Sequence, residues 1–140
     1  MPNRNLEEFI DNVEHQIKKE RVLCRLFEDS HLMRAIFNPD GTFFNVNKKW
    51  VEVLGYSKEE FRNKPFKDFI AEEDVEDSMN VYNNRQFNIA GQEDRSTYYD
   101  EDYYNHYVSK TGEKILLRWT RDFEDINGML VSTCVPVKVQ

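Results

Sequence analysis

The densest group of side chains that could do chemistry is the segment STYYDEDYYNHY at residues 96–107, which combines carboxylates, tyrosines and His106. Carboxylate oxygens and an imidazole nitrogen can together hold a metal ion. Their spacing matches no ligand motif, however, and adjacent acidic residues on an exposed loop are usually solvated. We therefore predict no metal site in this segment.

Catalytic motifs are missing from the rest of the sequence. The chain has no Gly-x-Ser-x-Gly motif, no phosphate-cradling glycine loop and no Cys and His residues at zinc-ligand spacing. Its two cysteines, Cys24 and Cys134, stand far apart in apolar contexts, which favours burial of both as small hydrophobic residues over a disulfide. We therefore expect a protein that is not an enzyme.

Length, composition and charge narrow the class of protein. A chain of 140 residues is long enough for one domain with a hydrophobic core. No stretch reaches the roughly 18 consecutive apolar residues of a membrane span, and the start MPNRNLEEF has no apolar signal core. The net charge of −7 argues against a nucleic-acid groove, which needs a basic face. We expect a soluble, cytoplasmic protein with neither nucleic acid nor membrane as partner.

The chain divides into a leading amphipathic helix and a single domain. We assign residues 1–30 to the helix and residues 31–140 to the domain, because no internal repeat or low-complexity linker interrupts the latter. Apolar residues recur along the helix at alternating steps of four and three, and the pattern resumes at Cys24 after the polar Glu20. The first part of this stripe consists of Leu6, Ile10, Val13 and Ile17.

This stripe has two interpretations. Three heptads are too short to hold a coiled coil alone in water, so the helix could lie on its own domain. It could equally be a dimer seam, because Phe9, Leu23 and Leu26 widen the stripe beyond what one partner surface would cover. The contact surface for the helix or a partner would then be the outer face of the last strand, formed by Val131, Thr133 and Val135.

Turn signals divide the domain into strands. Asn-Pro-Asp-Gly lies between the apolar runs LMRAIF and TFFNV, and Asn127-Gly128 precedes MLVSTCVPV, so each predicts an antiparallel hairpin. Between them, YYNHYVS leads through KTGE into the alternating run KILLRWTRDF. The strands fall into a pair, a helical interval and a three-stranded meander. This order predicts an α+β fold with one antiparallel sheet and helices on a single face.

Capping signals mark the helices of the interval. Asn47 precedes KKWVEVL, where its side chain could cap the first amides of a short helix that Gly55 ends. Ser57 and Glu60 form a capping box for another helical turn, and Asn63 falls where a left-handed residue would end it. A longer helix is predicted to begin near Glu73, with an apolar stripe that contains Val75, Met79 and Tyr82.

The stretch FNPDGTFFNVNKKWVEVLGYSKEEFRNKPFKDFIAEEDV resembles the N-terminal half of a PAS domain. The residues that fall on the family pattern there are Asn47, Trp50, Gly55, Tyr56, Ser57, Glu59, Glu60 and Pro65. In the second half, YVSKTGEKILLRW resembles a strand region of the family, with Lys110, Gly112, Leu117, Arg118 and Trp119 in place. The resemblance covers Met33 to about Val137. It implies the PAS fold: a five-stranded antiparallel sheet with short helices and one longer helix on one face, here preceded by the amphipathic helix.

The sequence departs from the family pattern at three places. Asn63 replaces the usual glycine, which is harmless because Asn also tolerates a left-handed backbone. Residues 84–104 form an acidic, tyrosine-rich insertion that we expect to be an exposed loop or a helix extension. The last strand ends CVPVKVQ, without the Asp-Ile-Thr-like motif of PAS domains that drive a downstream output. We therefore expect a stand-alone module.

The resemblance does not favour either of two cofactors that PAS domains bind. Flavin-binding members carry a reactive cysteine after the Gly-x-Pro break, whereas this sequence has NKPFKDFI there. The positions of their flavin-binding amides correspond here to Tyr107, Leu117 and Cys134. Haem-binding members usually offer a histidine from the long helix, and residues 72–90 contain none. The cofactor, if there is one, stays unknown.

The resemblance implies a sensory or regulatory module in signal transduction. It would bind a small, mostly apolar ligand between the long helix and the sheet, signal through a homodimer or act on a separate signalling protein. The candidate ligand-binding residues are Met79, Tyr82, Tyr107, Ile115, Leu117, Trp119, Leu130, Ser132 and Cys134. The alternative is a ligand-free dimerisation or docking module, in which these bulky side chains simply fill the core.

Overall fold

The computed structural model describes residues 4–91, 103–126 and 128–137. Helix α1 (Arg4–Glu28) leads into strands β1 (Met33–Phe37) and β2 (Phe43–Val46), then helices α2 (Lys48–Leu54) and α3 (Lys58–Phe61). Two 3₁₀ turns, Phe66–Phe69 and Glu72–Asp74, precede the long helix α4 (Val75–Gly91). Strands β3 (Tyr103–Val108), β4 (Lys114–Ile126) and β5 (Met129–Pro136) follow. The expectation for Asn127, and for most of the insertion at residues 84–104, lies outside the described residues.

The five strands form one antiparallel sheet in the order β2-β1-β5-β4-β3. The predicted pair, helical interval and meander are thereby confirmed. Strand β5 occupies the centre, where Ala35 of β1 pairs with Ser132 and Trp119 of β4 pairs with Cys134. Because β5 pairs with β1 on one side and with β4 on the other, the sheet joins the first and last strands of the domain in one core.

The first hairpin is held by its own turn residues. The amide of Gly41, which has a φ of 85°, donates to the carbonyl of Asn38 at 3.0 Å. The carboxylate of Asp40 accepts from the amide of Thr42 at 3.0 Å and from its hydroxyl at 2.6 Å. Hydrogen bonds from Thr42 lower the pKa of Asp40, because they stabilise the charged carboxylate. The Asp-Gly signal thus predicted this turn correctly.

Most of the predicted caps are confirmed. Gly55 ends α2 with a left-handed φ of 84°, and Asn63 has a φ of 61°. Ser57 and Glu60 form the reciprocal capping box, with the Glu60 amide donating to the Ser57 hydroxyl at 3.2 Å. The capping role predicted for the Asn47 side chain is wrong. Asn47 is the residue before α2, but its side chain makes no capping hydrogen bond and is used elsewhere.

The core lies between the inner face of the sheet and the helices, and aromatic rings fill most of it. Trp50 of α2 is fully buried, with ring centroids 5.6 Å from Phe61 and 5.3 Å from Tyr107. Phe43 lies 5.5 Å from both Trp50 and Phe69. Edge-to-face contacts of this kind add to the stabilisation from burial. The packing leaves little free volume in this part of the domain.

Helix α1 does not lie on its own domain, so the first interpretation of its stripe is wrong. Every residue from Asn5 to Leu26 is exposed, and within α1 only Phe27 and Glu28 are half-buried. Cys24 is therefore exposed, contrary to the predicted burial, whereas Cys134 is buried as expected. Among the described residues, no helix combines the length and hydropathy that a membrane span requires.

Candidate functional site

A small cavity separates α4 from the inner face of the sheet. Its volume is about 40 Å³, and one water molecule needs roughly 10–15 Å³ of such space. Pockets for drug-sized ligands have about 300 Å³ or more. A flavin or haem therefore does not fit this conformation, whereas a molecule of a few non-hydrogen atoms does.

The structure brings together five of the nine predicted ligand-binding residues. The five that line the cavity are Tyr82, Tyr107, Trp119, Leu130 and Ser132. Met79 instead lines a second, partly open pocket near Pro39. Leu117 and Cys134 are buried in the adjoining core, and Ile115 packs half-buried against it. The predicted inward face of β4 and β5 is thus present, but only part of it reaches the cavity.

A chain of hydrogen bonds that the sequence did not reveal forms one wall of the cavity. The indole N–H of Trp119 donates to the amide oxygen of Asn105 at 2.7 Å. The amide nitrogen of Asn105 donates to the Ser78 hydroxyl at 3.0 Å, and that hydroxyl lies 3.0 Å from the Tyr103 hydroxyl. Asn105 and Ser78 are both buried. The chain therefore fixes the long helix against strands β3 and β4.

Two sequence signals could have pointed to these residues. Asn105 stands two positions before Tyr107 on the same strand, so both side chains face the same side of the sheet. Ser78 stands four positions before Tyr82, which places it on the same face of α4. The neighbouring YYDEDYY residues are predicted from the sequence to belong to an exposed insertion, and this prediction leaves Asn105 outside the predicted inner face.

Two further hydroxyl groups line the cavity. Tyr107 and Ser132 are 1% and 3% exposed, and neither hydroxyl makes a hydrogen bond to a residue that the structure describes. Burial raises the pKa of Tyr107 well above its ordinary range, and burial likewise raises the pKa of the Cys134 thiol. The polar groups that line the cavity are all uncharged near neutral pH. The site therefore suits an uncharged ligand that can exchange hydrogen bonds.

The described part of the STYYDEDYYNHY segment makes a structural contact. His106 Nδ1 lies 2.8 Å from Asp74 Oδ2, and the same oxygen accepts the His106 amide at 2.7 Å. Residues 103–107 otherwise belong to β3, and no group of three potential metal ligands occurs among the described residues. This pair fastens β3 to the start of α4.

Two exposed ion pairs fasten the turn between β3 and β4 to the helical side of the domain. Lys110 Nζ lies 2.9 Å from Glu60 Oε1, and Lys114 Nζ lies 2.7 Å from Glu73 Oε1. Hydrogen bonds from these lysines hold the pKa values of Glu60 and Glu73 below their ordinary value. The pairs are exposed, so we expect each to contribute little to stability.

The predicted dimer residues lie on two surfaces. Leu6, Ile10, Val13 and Ile17 are exposed on α1, as are Phe9, Leu23 and Leu26. Val131, Thr133 and Val135 are half-exposed on the outer face of β5, which alternates with the buried Leu130, Ser132 and Cys134. The α1 residues are not covered by described residues of the same chain, whereas the β5 residues are partly covered.

The PAS domain family model matches residues 32–131. The PAS domain of an HTR-like protein from Haloarcula marismortui is 20% identical over 91% of this chain and 98% of its own, with a TM-score of 0.64. A PAS domain from Colwellia psychrerythraea is 16% identical over 86% of this chain and 97% of its own, with a TM-score of 0.66.

A third similar structure contains a ligand. The PAS domain of the RpfR quorum-sensing receptor from Cronobacter turicensis, solved in complex with C12:0, is 12% identical. The match covers 79% of this chain and 97% of that domain, with a TM-score of 0.57. No curated protein sequence matches the chain. These structures share the fold, and the family match spans well over half of the sequence, so the chain belongs to the PAS domain family.

Proposed function

We propose that this PAS domain is a signalling module that associates with a second copy of itself through α1. PAS domains are typical of sensory signal transduction, and some of them bind ligands. The observation that carries the proposal is the exposure of the apolar stripe of α1 from Leu6 to Leu26. Its heptad spacing is the pattern that two helices bury against each other.

The size of the exposed apolar surface supports a partner for α1. Phe9 and Leu26 are each 64% exposed, and even the least exposed member of the stripe, Val13, is 41% exposed. A row of large apolar side chains along one helix marks an interaction site more often than a free surface. A second α1 has the same apolar spacing and the same length, so a second copy of this chain is the simplest partner for the stripe. The outer face of β5 is then available to extend the contact. We place the module in the cytoplasm, as its composition suggests.

Glutamate substitutions in the seam test this proposal. Val13→Glu and Ile17→Glu place a charge in the seam, whereas His15→Glu adds the same side chain to the opposite face of α1. Native mass spectrometry or light scattering would give a dimer mass for the wild type and the His15→Glu control, and a monomer mass for the seam variants. A wild-type monomer, or seam variants that remain dimeric, would contradict self-association and favour a separate signalling protein as partner.

A second function, ligand sensing, is supported by the cavity beside α4. The wall formed by Trp119, Asn105 and Ser78, together with the Tyr107 and Ser132 hydroxyls, suits an uncharged molecule of a few non-hydrogen atoms. Most of the cavity surface is apolar, which agrees with the mostly apolar ligand expected from the sequence, but the ligand would be far smaller than the C12:0 chain in the similar RpfR domain. The rest of the core is filled by rings, which supports the alternative of a ligand-free interaction module.

Native mass spectrometry of the purified protein separates these two possibilities. Ser132→Leu would fill the cavity, whereas Thr133→Leu changes the neighbouring residue on the opposite face of β5. Ligand sensing predicts a discrete excess mass in the wild type and in Thr133→Leu that is lost in Ser132→Leu. An unmodified mass in all three proteins would favour the filled-core module.

A further inference from the structure

Within the part of the chain that the structure describes, helix α1 contacts the domain only through its last turn. Residues Asn5 to Leu26 are exposed, and the half-buried Phe27 and Glu28 are followed by a short connection that enters β1 at Met33. The direction in which the helix leaves the domain is therefore determined by the contacts made at this last turn. We call residues 27–34 the root of α1.

The buried side chain of Asn47 makes hydrogen bonds to three parts of the root. Asn47, which is fully buried between β2 and α2, donates from its amide nitrogen to the carbonyls of Phe27 and Leu32, both at 2.9 Å. Its amide oxygen accepts from the backbone amide of Arg34 at 3.1 Å, and its own backbone amide donates to the Arg34 carbonyl at 2.9 Å. A single residue of the domain thus joins the last turn of α1, the connection and the first strand.

Among side chains of this size, only that of asparagine matches the three backbone groups that surround it. The root needs two N–H donors for the two carbonyls and one acceptor for the Arg34 amide, and a side-chain carboxamide provides both. Aspartate would offer no donor at neutral pH, and glutamine would be one methylene too long. An isolated carbonyl in the last turn of a helix lacks an intrahelical partner, so the bond to Phe27 also satisfies an otherwise unpaired group.

The second polar contact at the root is weaker. Lys58 of α3 forms an ion pair with Glu28, and both side chains are about one third exposed. Solvent-exposed ion pairs contribute little and adopt several geometries. The Asn47 hydrogen bonds lie in the protein interior, where they are directional and shielded from water.

Asn47 also lies next to the core that surrounds the cavity. Val46 immediately before it is buried, and the Trp50 amide donates to the Asn47 carbonyl at 3.1 Å. The Trp50 ring lies 5.3 Å from Tyr107 and 5.8 Å from Trp119, both of which line the cavity. A shift of α2 against these rings would therefore move the residue that holds α1.

We propose that Asn47 is the positioning residue that fixes the direction of α1 relative to the sheet and thereby sets the geometry in which two chains associate. The inference rests on the proposed function for the role of α1 in the dimer. The hydrogen bonds of Asn47 to the root hold within one chain whether or not the dimer forms.

Distances between spin labels on α1 and on the sheet test the proposal. Cys134 is buried, and Cys24→Ser removes the exposed cysteine of the seam, so a label at His15→Cys attaches to the face of α1 opposite the seam. A second label at Glu113→Cys marks the exposed turn between β3 and β4, and dilution with unlabelled chains isolates the distance within one chain. We expect one narrow distance distribution in the otherwise unchanged protein.

Asn47→Ala removes all three side-chain hydrogen bonds. Asn45→Ala is the matched control because, among the described residues, the Asn45 side chain bonds only to the adjacent Val46 amide. We expect Asn47→Ala to give an α1-to-sheet distribution about twofold broader or shifted, with unchanged near-ultraviolet circular dichroism. The control should retain the narrow distribution. An unchanged distribution in folded Asn47→Ala overturns the proposal.

A second variant and a mass measurement complete the test. If Asn47→Ala does not fold, the same label distances are measured in Asn47→Ser, whose hydroxyl can accept from the Arg34 amide but cannot donate to both root carbonyls. The molecular mass is measured on each sample. A monomeric wild type contradicts the proposed self-association, while the distance within one chain still decides the role of Asn47.

Discussion

Ser78 and Ser132 line the same cavity with the same hydroxyl group, yet their surroundings differ. Ser78 accepts from the Asn105 amide and contacts the Tyr103 hydroxyl, whereas the Ser132 hydroxyl has no hydrogen bond to a described residue. Ser78→Ala should therefore leave the Asn105 amide without its acceptor and lower the free energy of unfolding by about 1–2 kcal/mol. Ser132→Ala, at a similarly buried position, should stay within about 0.5 kcal/mol of the wild type.

Urea unfolding of the two variants measures this difference. Equal losses would mean that the hydrogen-bond chain between α4 and β3 contributes nothing beyond the burial of the two hydroxyl groups. A larger loss in Ser132→Ala would place an additional partner on that hydroxyl.

Tyr107 and Cys134 make the stability of the domain sensitive to alkaline pH. Burial raises both pKa values, whose ordinary values are 10.0 and 9.0, so the folded chain keeps protons that the unfolded chain loses. Their contribution is complete below pH 9 and falls as pH rises above these ordinary values, by up to about 1.4 kcal/mol per pH unit for each group. Tyr107→Phe removes one of the two titrations and should make the decline above pH 10 shallower.

Urea unfolding between pH 8 and pH 11 tests the sign. Tyr104→Phe is the control, because Tyr104 is 50% exposed on the same strand. If Tyr107→Phe and Tyr104→Phe lose stability with the same slope, the buried phenol does not determine the alkaline limit.

The alternation of residue types along a strand predicts which face of the sheet each side chain occupies, but not which residue that side chain contacts. Alternation correctly placed Leu117, Trp119, Ser132 and Cys134 inside. The bond between Trp119 and Asn105 depends on the register of β3 against β4, which the sequence does not specify. The same limit explains Asn47, whose type and position predicted a helix cap. Its amide instead satisfies three backbone groups of the root, because β1 lies beside it in the sheet.

Among the helices, the capping box before α3 is the clearest case of sequence determining an element. Ser57 accepts from the Glu60 amide at 3.2 Å and Glu60 accepts from the Ser57 amide at 3.1 Å. Helix α3 has only four residues and cannot rely on its own internal bonds. Ser57→Ala should therefore lower the free energy of unfolding by about 1 kcal/mol.

Glu60→Gln is the informative comparison for Ser57→Ala in the same denaturant series. Glutamine can still accept from the Ser57 amide, and the lost ion pair with Lys110 is exposed, so we expect a change within about 0.5 kcal/mol. A larger effect of Glu60→Gln than of Ser57→Ala would mean that the charge, rather than the cap, holds α3.

Element boundaries were predictable wherever a turn residue or cap determined them, as at Gly55, Asn63 and the Asp-Gly hairpin. What packs against an element was harder to predict than where the element begins and ends. The heptad pattern of α1 was equally consistent with a helix on its own domain and with a dimer seam, because periodicity identifies an apolar face without naming what covers it. Cys24 was predicted to be buried for the same reason.

At the scale of the whole molecule, the order of strand and helix signals together with the PAS resemblance predicts one five-stranded antiparallel sheet, whereas the strand order β2-β1-β5-β4-β3 comes from the structure. The cavity could not be predicted in this way. Its size depends on how closely Phe37, Phe66 and Tyr82 pack together, with ring centroids 5.7 Å apart for Phe37 and Phe66 and 4.8 Å apart for Phe66 and Tyr82. Differences of this scale decide whether a core is filled or holds a ligand.

Self-association through α1 predicts two regions of different stability within one chain. Strands β4 and β5 belong to the folded core, and their amides should exchange slowly at any protein concentration. Helix α1 has few contacts within its own chain, and packing of an amphipathic face supplies most of the stability of a helix in a protein. Its amides should therefore be protected in the dimer and exchange faster when dilution produces the monomer.

Hydrogen exchange measured by mass spectrometry, at concentrations above and below the dimer dissociation constant, tests this coupling between assembly and helix formation. Ile17→Glu should exchange in α1 at the diluted wild-type rate at both concentrations, with β4 and β5 unchanged. His15→Glu, which changes the opposite face, should follow the wild type. Protection of α1 that does not depend on concentration would mean that the helix is stable without a partner, and the dimer would then have no role in ordering it.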